Sequence, residues 1–332
     1  MPLGFTFLMC SERSGSNLIA RMFDAHPDCC GPSPTHLVRV LAENRGRYGD
    51  LDDDRAWGEL CRDAADLLAT KVGAWQREWS AAQLSAASPR RSLAALVRAV
   101  FAAEAKAAGK GHLFIKENHL YRYLPFVLRA FPGLRIVAMV RDPRDMALSW
   151  KRSPILRGDV VRAARIWQED QEQLIRVLGF LEPGRDIHLL RYEDLVADPA
   201  GALAAACAAV GLPMDPAMLA FHGTASAAAA AVRTDDWKNL GRPVMAANFG
   251  KWRDGLDAAE AAYVERLCGP AMAVFGYACE TDDPRTTTEL EAELLPRERH
   301  EKSGWDDVPA DEQRLRRERA AVLARIAERC WQ

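Results

Sequence analysis

The chain has 332 residues, of which 49% are hydrophobic and 27% are charged. This composition excludes a fibrous chain, a wholly disordered chain and a polytopic membrane protein. Lys and Arg number 44 against 46 Asp and Glu, so the overall charge attracts neither nucleic acid nor an anionic membrane, and any anion site must be local. No apolar stretch approaches the ~20 residues of a membrane span.

The cysteines and the start of the chain predict a cellular setting. The eight cysteines show no paired C-x-x-C spacing, which argues against a zinc site and against a small disulfide framework. The first ten residues lack the basic start and the long apolar run of a secretion signal. We therefore expect reduced thiols, no required metal and a cytoplasmic protein.

Short apolar runs alternate with helical patterns along most of the chain. The first run, residues 4–9, leads through a polar turn into a segment whose apolar residues recur at helical spacing. Further strands are predicted at residues 112–116, 134–140 and 187–191. This alternation predicts an α/β fold in which helices flank a parallel sheet on both faces.

Two regions stand apart from the strand and helix alternation. Residues 40–110 look helical, and we expect an insertion that covers one edge of the site. After a main domain of residues 1–283, residues 284–332 become polar and charged, which predicts a largely helical C-terminal appendage. Its charges at residues 314–319 are expected on a solvated helix face, and contact between two copies of the chain is the second interpretation.

A polar segment joins the first strand to the first helix. Arg13, Ser14, Gly15, Ser16 and Asn17 would aim backbone N–H groups and hydroxyls at one point, where the helix dipole favours negative charge. A phosphate would fit there, although a helix capped by serine is an alternative interpretation. Because the segment lacks the first glycine and the lysine of the ATP-binding P-loop, ATP with magnesium is not the expected ligand.

A second candidate anion site follows the strand at residues 134–140. Arg141 stands at the strand end, and Ser149 follows eight residues later, about two helical turns into the next helix. Both side chains can therefore converge on a phosphate. Pro143 suits the first turn of that helix. Two separate phosphate sites suggest a nucleotide that carries two phosphate groups.

At these positions the sequence resembles the sulfotransferases that use 3′-phosphoadenosine 5′-phosphosulfate (PAPS). Residues 13–17 are similar to the family's 5′-phosphosulfate loop, and residues 141–145 together with Ser149 are similar to its 3′-phosphate segment. The resemblance spans about residues 5–277 and leaves the C-terminal appendage outside. It implies the P-loop-like fold of that family.

Two later segments agree with the resemblance. Residues 190–199 are similar to the tyrosine-containing segment near the adenine, and residues 249–253 look like the family's closing region. The residues for which the resemblance implies cofactor binding are Arg13, Ser14, Gly15, Ser16, Asn17, Arg141, Ser149, Tyr192, Lys251 and Trp252.

The implied reaction moves a sulfuryl group from PAPS to a hydroxyl of a small-molecule acceptor and leaves adenosine 3′,5′-bisphosphate. Negative charge then builds on the bridging oxygen of the leaving phosphate, where positioned cations stabilise the transition state. Arg13 occupies the position at which many cytosolic members carry lysine, and we expect it to stabilise this charge. Lys116 is a further catalytic candidate, with a simple strand-end charge as its alternative.

The acceptor hydroxyl needs a general base, which members of the family supply in different ways. Some use a histidine just after a strand, in a Lys-Thr-His-like segment, and others use a glutamate beyond the first helix. Here His119 follows Lys116 at the former place, whereas the latter holds His36 and no acid. An imidazole with its ordinary pKa of about 6.5 can act as a general base near neutral pH. We place His119 slightly ahead of His36, with Glu117 and Glu43 behind them.

Two other functions stay open from the sequence. A P-loop-type kinase would bind ATP with magnesium, and a non-catalytic nucleotide-binding protein of the same fold would keep the phosphate sites without transfer. Product formation from PAPS separates a sulfotransferase from the non-catalytic protein, and binding of ATP with magnesium would favour the kinase. The acceptor itself depends on the pocket walls rather than on the cofactor motifs.

Overall fold

The computed structural model describes residues 3–71, 73, 75–233, 235–304 and 306–331. The strands of its central sheet are β1 (Gly4–Cys10), β2 (Cys29–Cys30), β3 (His112–Lys116), β4 (Arg135–Val140) and β5 (Ile187–Arg191). They run parallel in the spatial order β2, β3, β1, β4, β5. The α/β fold with a parallel sheet is therefore confirmed. The two-residue β2 is absent from the sequence prediction because two residues carry no periodicity.

Helices connect the strands and cover the sheet. In chain order, the α-helices of the described residues are α1 (Ser16–Asp24), α2 (Leu37–Glu43), α3 (Asp54–Ala69), α4 (Ala81–Ala87), α5 (Leu93–Ala107), α6 (Leu124–Ala130), α7 (Pro143–Arg152), α8 (Val160–Leu178), α9 (Tyr192–Ala197), α10 (Pro199–Val210), α11 (Ala225–Ala231), α12 (Trp252–Gly255), α13 (Ala258–Val274), α14 (Thr287–Leu294) and α15 (Ala310–Ala327). As predicted, α7 begins at Pro143, and the Asp142 carboxylate caps it by accepting from the Arg144 N–H at 2.9 Å.

The sheet buries both of its faces, because successive side chains of a strand point to opposite sides. On β1, Phe7 belongs to a large core that the sheet shares with most of the helices. Its neighbour Leu8 belongs to a second core with Ile19 of α1 and Leu203 of α10. Helices on both faces are thus confirmed, and the strand ends are the part of the sheet left open to a ligand.

The register of the strands brings the predicted site residues to one edge. β1 pairs with β3 so that Leu8 lies opposite Lys116, and β4 pairs with β5 so that Val140 lies opposite Arg191. The residues that follow each strand therefore emerge side by side at the C-terminal edge of the sheet. Parallel α/β sheets bind their ligands at this edge.

The helical insertion and the C-terminal segment both pack on the larger core. Trp57 of α3 and Phe101 of α5 are buried there, and α5 contacts β2 and β3. Beyond residue 283, Leu290 of α14 and Ile326 of α15 are buried in the same core. The predicted domain boundary itself stays a prediction. Among the described residues, no helix has the length and apolar character needed to cross a bilayer.

Candidate active site

A cavity of about 720 Å³ opens at the C-terminal edge of the strands. Its floor is formed by the residues that follow β1, β3 and β4 and by the first turn of α1. The predicted site residues that line it are Arg13, Gly15, Ser16, Asn17, His36, Lys116, Arg141, Ser149, Tyr192 and Lys251. The fold thus brings together most of the site residues that the sequence predicts, although they come from segments far apart in the chain.

The loop after β1 has a backbone shape that few sequences allow. Gly15 has φ +87°, in the left-handed region, and a Cβ added there would lie 2.4 Å from the Tyr192 ring. Only glycine fits this position without displacing the ring. The turn leads directly into α1, so the N–H groups of the first helical turn point toward the cavity edge.

Side-chain contacts join the two predicted phosphate sites. The Arg13 Nε donates to Ser149 Oγ at 3.1 Å, and an Arg141 guanidinium nitrogen donates to the Arg13 carbonyl oxygen at 2.8 Å. The Arg141 guanidinium also stacks over the Tyr192 ring, 4.4 Å from its centroid. The two arginines and the serine therefore form one cluster on the wall of the cavity.

Lys116 and Asn17 extend this cluster toward β3. The Lys116 ammonium donates to the Asn17 side-chain oxygen. Burial lowers the pKa of Lys116 from its usual value, and the nearby Arg13 lowers it further. Lys116 thus lies within the cavity wall beside the loop after β1, as the sequence predicts for a lysine at the strand end.

Two of the predicted cofactor-binding residues lie outside the cavity lining. Trp252 is buried between the guanidinium groups of Arg144 and Arg253, 4.1 and 4.7 Å from its ring. The backbone N–H of Trp252 donates to the Asp145 carboxylate at 3.0 Å, so Trp252 fixes the segment next to Lys251 rather than facing the cavity. Ser14 has a buried hydroxyl for which the described residues provide no hydrogen-bond partner.

Three non-glycine residues in the described part of the chain have positive φ: Arg13 at 63°, His36 at 52° and His119 at 54°. All three are catalytic candidates from the sequence. Residues in this region are strained by about 1–3 kcal/mol and often lie at functional sites. The strain therefore supports a functional role for the loops that carry them.

The two histidines occupy different environments. His36 precedes α2 and lines the cavity, with its Nδ1 3.9 Å from Glu117 Oε2. His119 does not line the cavity, because its ring turns toward α8, where Nδ1 lies 3.4 Å from Asp170 Oδ1 and the ring meets Tyr121 edge-on. The preference of the sequence prediction for His119 over His36 thus finds no support in this placement.

Glu117 is a buried carboxylate behind His36. Its side chain is 1% exposed, and it accepts from the N–H groups of Val38 and Arg39 at 3.4 and 3.3 Å, at the start of α2. Burial raises the pKa of Glu117 to about 7. Burial also lowers the pKa of His36 well below its usual range, and Arg39 lowers it further. Glu43 is exposed at the end of α2.

Some residues of the cavity wall are not predicted from the sequence. Arg316 and Arg319 of α15 line the cavity, whereas the sequence pattern predicts a solvated face for the charges of this segment. Residues 237–240, 242–245 and 248 form another part of the lining. The spacing of Arg316 and Arg319 on one helix face is the only signal that points to them, and a solvated helix shows the same pattern.

The described ranges of the chain show no metal-binding site. They contain no group of three or more His, Cys, Asp or Glu side chains arranged to hold a metal ion. The expectation that no metal is required stays a prediction.

The sheet order and the loop that opens α1 are those of a P-loop-like α/β protein, and the cluster of arginines at the strand ends gives it a positively charged site. A family model described as "Sulfotransferase family" matches residues 6–216. The chain belongs to the sulfotransferase family, and it is an enzyme of that class. This result favours the sulfotransferase over the kinase alternative.

Known proteins similar to the chain agree with this assignment. Mouse carbohydrate sulfotransferase 5 is 23% identical over 81% of this chain and 80% of its own length. Human carbohydrate sulfotransferase 6 is 24% identical over the same shares. A sulfotransferase domain from the curacin biosynthetic pathway is similar in fold, with a TM-score of 0.54, 18% identity, and coverage of 84% of this chain and 99% of that domain.

Proposed function

We propose that the protein transfers a sulfuryl group from PAPS to a hydroxyl of a small-molecule acceptor. The observation that carries this proposal is the cluster at the strand ends, in which Arg13 is bonded both to Ser149 and to Arg141. Sulfuryl transfer from a nucleotide with two phosphate groups needs cations at two points, and this cluster supplies both. The names of the mouse and human relatives favour a carbohydrate among the small molecules.

The residues present fit such a donor. Ser14 Oγ and Arg141 Nε are buried and have no hydrogen-bond partner among the described residues. Buried polar atoms are rarely left in this state. Arg141 lines the cavity, so its Nε is a donor available to a bound anion, whereas Ser14 lies outside the lining. Both lie in the segments that resemble the family's phosphate-binding elements. The loop with Gly15, Ser16 and Asn17 would hold the 5′ side, and Arg141 with Ser149 the 3′ side.

Different residues of the cavity have different roles in the proposed reaction. PAPS, when bound, supplies an activated sulfuryl group on a phosphate leaving group. Arg13 stabilises the negative charge that develops on that leaving group and, being permanently protonated, keeps its own proton. Lys116 adds a second cation held in place by Asn17. His36 accepts the proton of the acceptor hydroxyl, since its lowered pKa keeps the imidazole neutral at pH 7.

Ligand-dependent thermal unfolding tests the donor assignment. We expect adenosine 3′,5′-bisphosphate to stabilise the protein much more than AMP, because the 3′-phosphate gains charge-assisted hydrogen bonds of about 1.5–3 kcal/mol each. Arg141→Ala should abolish this difference, whereas Arg317→Ala, at an exposed residue of α15, should retain it. Equal stabilisation of the wild type by the two nucleotides would contradict the proposal, as would no transfer of labelled sulfate from PAPS to any hydroxyl acceptor.

Three further expectations from the sequence are kept as proposals. They concern a cytoplasmic location, catalysis without a metal and self-association through the C-terminal helix. For the last of these, α15 already buries Val322 and Ile326 against its own chain. A second copy would therefore have to meet the opposite side of the helix, where Leu323 is 38% exposed.

A further inference from the structure

Arginines of the last helix build the cavity wall beside the candidate base. Arg316 and Arg319 are three residues apart in α15, so they project from the same side of the helix, and both line the cavity. The Arg319 guanidinium donates to the carbonyl oxygen of Leu67 at 3.0 Å and to that of Thr35. Thr35 directly precedes His36, so these bonds hold the guanidinium next to the loop that carries His36.

The charge of Arg319 has no contacting counter-charge. Both of its hydrogen-bond acceptors are neutral carbonyl groups, and no carboxylate within the described ranges comes within ion-pair distance of it. Arg316 differs, because it pairs with the Glu312 carboxylate at 2.7 Å. A half-buried cation that is not paired favours the binding of an anion. Arg319 therefore offers a positive charge to whatever occupies this end of the cavity.

The carboxylates of the cavity wall are already engaged elsewhere. Among the described lining residues they are Glu12 and Asp145. Glu12 accepts from the Asn118 side-chain amide at 3.0 Å, and Asp145 accepts from the backbone N–H groups of Gly250 and Trp252 at 2.5 and 3.0 Å. Neither contacts Arg319. The buried Glu117 behind His36 attracts Arg319 electrostatically, but it does not come within ion-pair distance of the guanidinium.

The elements that carry the predicted phosphate sites do not include α15. Those sites lie after β1 and β4, where Arg13 and Arg141 meet, whereas Arg319 reaches the cavity from the C-terminal helix and contacts the loop of His36. Its charge thus lies at the place where the acceptor hydroxyl must approach the base. A group that complements it belongs to the acceptor rather than to the nucleotide.

We propose that the acceptor carries a carboxylate close to the hydroxyl that is sulfated, and that Arg319 binds this carboxylate. The proposal rests on the proposed sulfotransferase function and adds the chemical class of the acceptor. A guanidinium matches a carboxylate in shape and can bind it through two parallel hydrogen bonds. Arg319 is thus a specificity-determining residue of the acceptor site.

Matched acceptors test this proposal with the full chain and labelled PAPS. The probes are glucuronic acid with glucuronamide, hydroxyphenylacetic acid with its primary amide, and hydroxybutyric acid with its primary amide. Within a pair, the hydroxyl is the same and only the negative charge is removed. We expect kcat/KM to favour the acid about tenfold or more in at least one pair, because a charge-assisted hydrogen bond is lost in the amide.

Substitutions on α15 assign the preference to one side chain. Arg319→Gln should lower the ratio of kcat/KM for the acid to kcat/KM for the amide about tenfold or more, and Arg319→Lys should restore part of the preference. Arg317→Gln is the matched control, because Arg317 is exposed on the same helix and does not line the cavity. Thermal unfolding of Arg319→Gln reports whether the lost bonds to Leu67 and Thr35 disturb the fold.

The possible results distinguish failure of the proposed function from failure of the proposed acceptor class. If adenosine 3′,5′-bisphosphate does not stabilise the wild type, the proposed function fails. If it does, but no acid is preferred over its amide, the carboxylate acceptor is overturned and the sulfotransferase function stands. A preference that survives in Arg319→Gln assigns it to another residue and overturns the role of Arg319. An unstable Arg319→Gln protein leaves the decision to the wild-type preference and to Arg319→Lys.

Discussion

The two sides of the cavity are built from different kinds of structure. The side proposed to bind the donor consists of turns that directly follow parallel strands, with Arg13 and Arg141 joined through the Arg13 carbonyl. The side proposed to bind the acceptor consists of a loop held by hydrogen bonds from α15, far along the chain, where Arg319 bonds to Thr35. The proposed donor side is thus positioned by the sheet itself, whereas the proposed acceptor side depends on loops and helices that pack around it.

The largest expected effect concerns the general base on the acceptor side. His36→Ala should slow single-turnover transfer about 10²–10⁴-fold, the usual contribution of a positioned base. His119→Ala is the control, because His119 lies against Asp170 and outside the cavity lining. We expect its rate to stay within a few-fold of the wild type. A larger loss in His119→Ala than in His36→Ala would make His119 the better candidate for the base.

The pH dependence of the same reaction sharpens this assignment. A base acts in its neutral form, so the rate should fall as the pH drops through the pKa of His36. Because burial lowers this pKa well below 6.5, the fall should occur at a lower pH than for an ordinary histidine. A rate that is halved above pH 6.5 would exclude His36 in its present environment.

The next effect concerns the donor side. Arg13→Ala should lower kcat about 10²–10³-fold, as expected when a donor to a developing negative charge is removed, with a smaller change in KM for PAPS. Arg13→Lys keeps the charge and should retain more activity. A change confined to KM for PAPS would show that Arg13 binds the donor without stabilising the transition state.

A third effect tests how the acceptor side is attached. The Asp63 side chain is fully buried and accepts from Arg325 at 2.7 Å, Arg329 at 3.0 Å and Tyr48 at 2.9 Å. Asp63→Ala should lower the free energy of unfolding by about 3–4 kcal/mol, because it leaves buried partners without their acceptor. Asp66→Ala removes a more exposed partner of Arg325 and should cost at most about 1 kcal/mol.

The same variant separates the two sides of the cavity. In Asp63→Ala the acceptor KM should rise, since α15 loses its buried ion pair with α3 and keeps the bonds to Asp66 and Leu67, whereas adenosine 3′,5′-bisphosphate should still stabilise the protein. Titration of the nucleotide by calorimetry measures this directly. A loss of nucleotide binding equal to the loss of acceptor binding would contradict the division into two independently built sides.

The smallest effect concerns Glu117, the carboxylate beneath the acceptor loop. Burial raises its pKa from 4.5 to about 7 in the folded state. Its contribution to stability is therefore fully present below about pH 4.5 and is lost as the pH rises through about 7. Relative to Glu117→Gln, the wild type should lose at most about 3 kcal/mol over this range. Chemical denaturation at several pH values measures the difference, and parallel pH profiles would contradict the raised pKa.

The donor side could largely be predicted from the sequence. Its residues lie in short segments after apolar runs, and the strand predictions at residues 112–116 and 187–191 match β3 and β5 in both bounds. Parallel strands bring their ends to one edge, so the sequence alone is enough to group Arg13, Lys116 and Arg141. The spacing of local motifs suffices when the fold itself supplies the long-range contact.

The acceptor side could not be predicted because its contacts depend on long-range packing. In the sequence, Arg319 cannot be distinguished from any other charged residue of a solvated helix. Only the packing of α15 places it next to Thr35. His119 follows a strand as a catalytic histidine would, but a left-handed turn at that residue directs its ring toward Asp170. The sequence predicts a nucleotide contact for Trp252 because a buried aromatic and a stacking aromatic look alike in sequence.

The bond between Arg319 and Thr35 joins residues 284 positions apart in the chain. The parts of the cavity are therefore synthesised at different times. Every residue assigned to the donor side, as far as Lys251, leaves the ribosome before α15 does. A nascent chain thus carries all the residues proposed to bind the nucleotide before it carries the wall proposed for the acceptor. The cavity is complete only after α15 has also been released, so the wall proposed for the acceptor forms after the part proposed for the nucleotide.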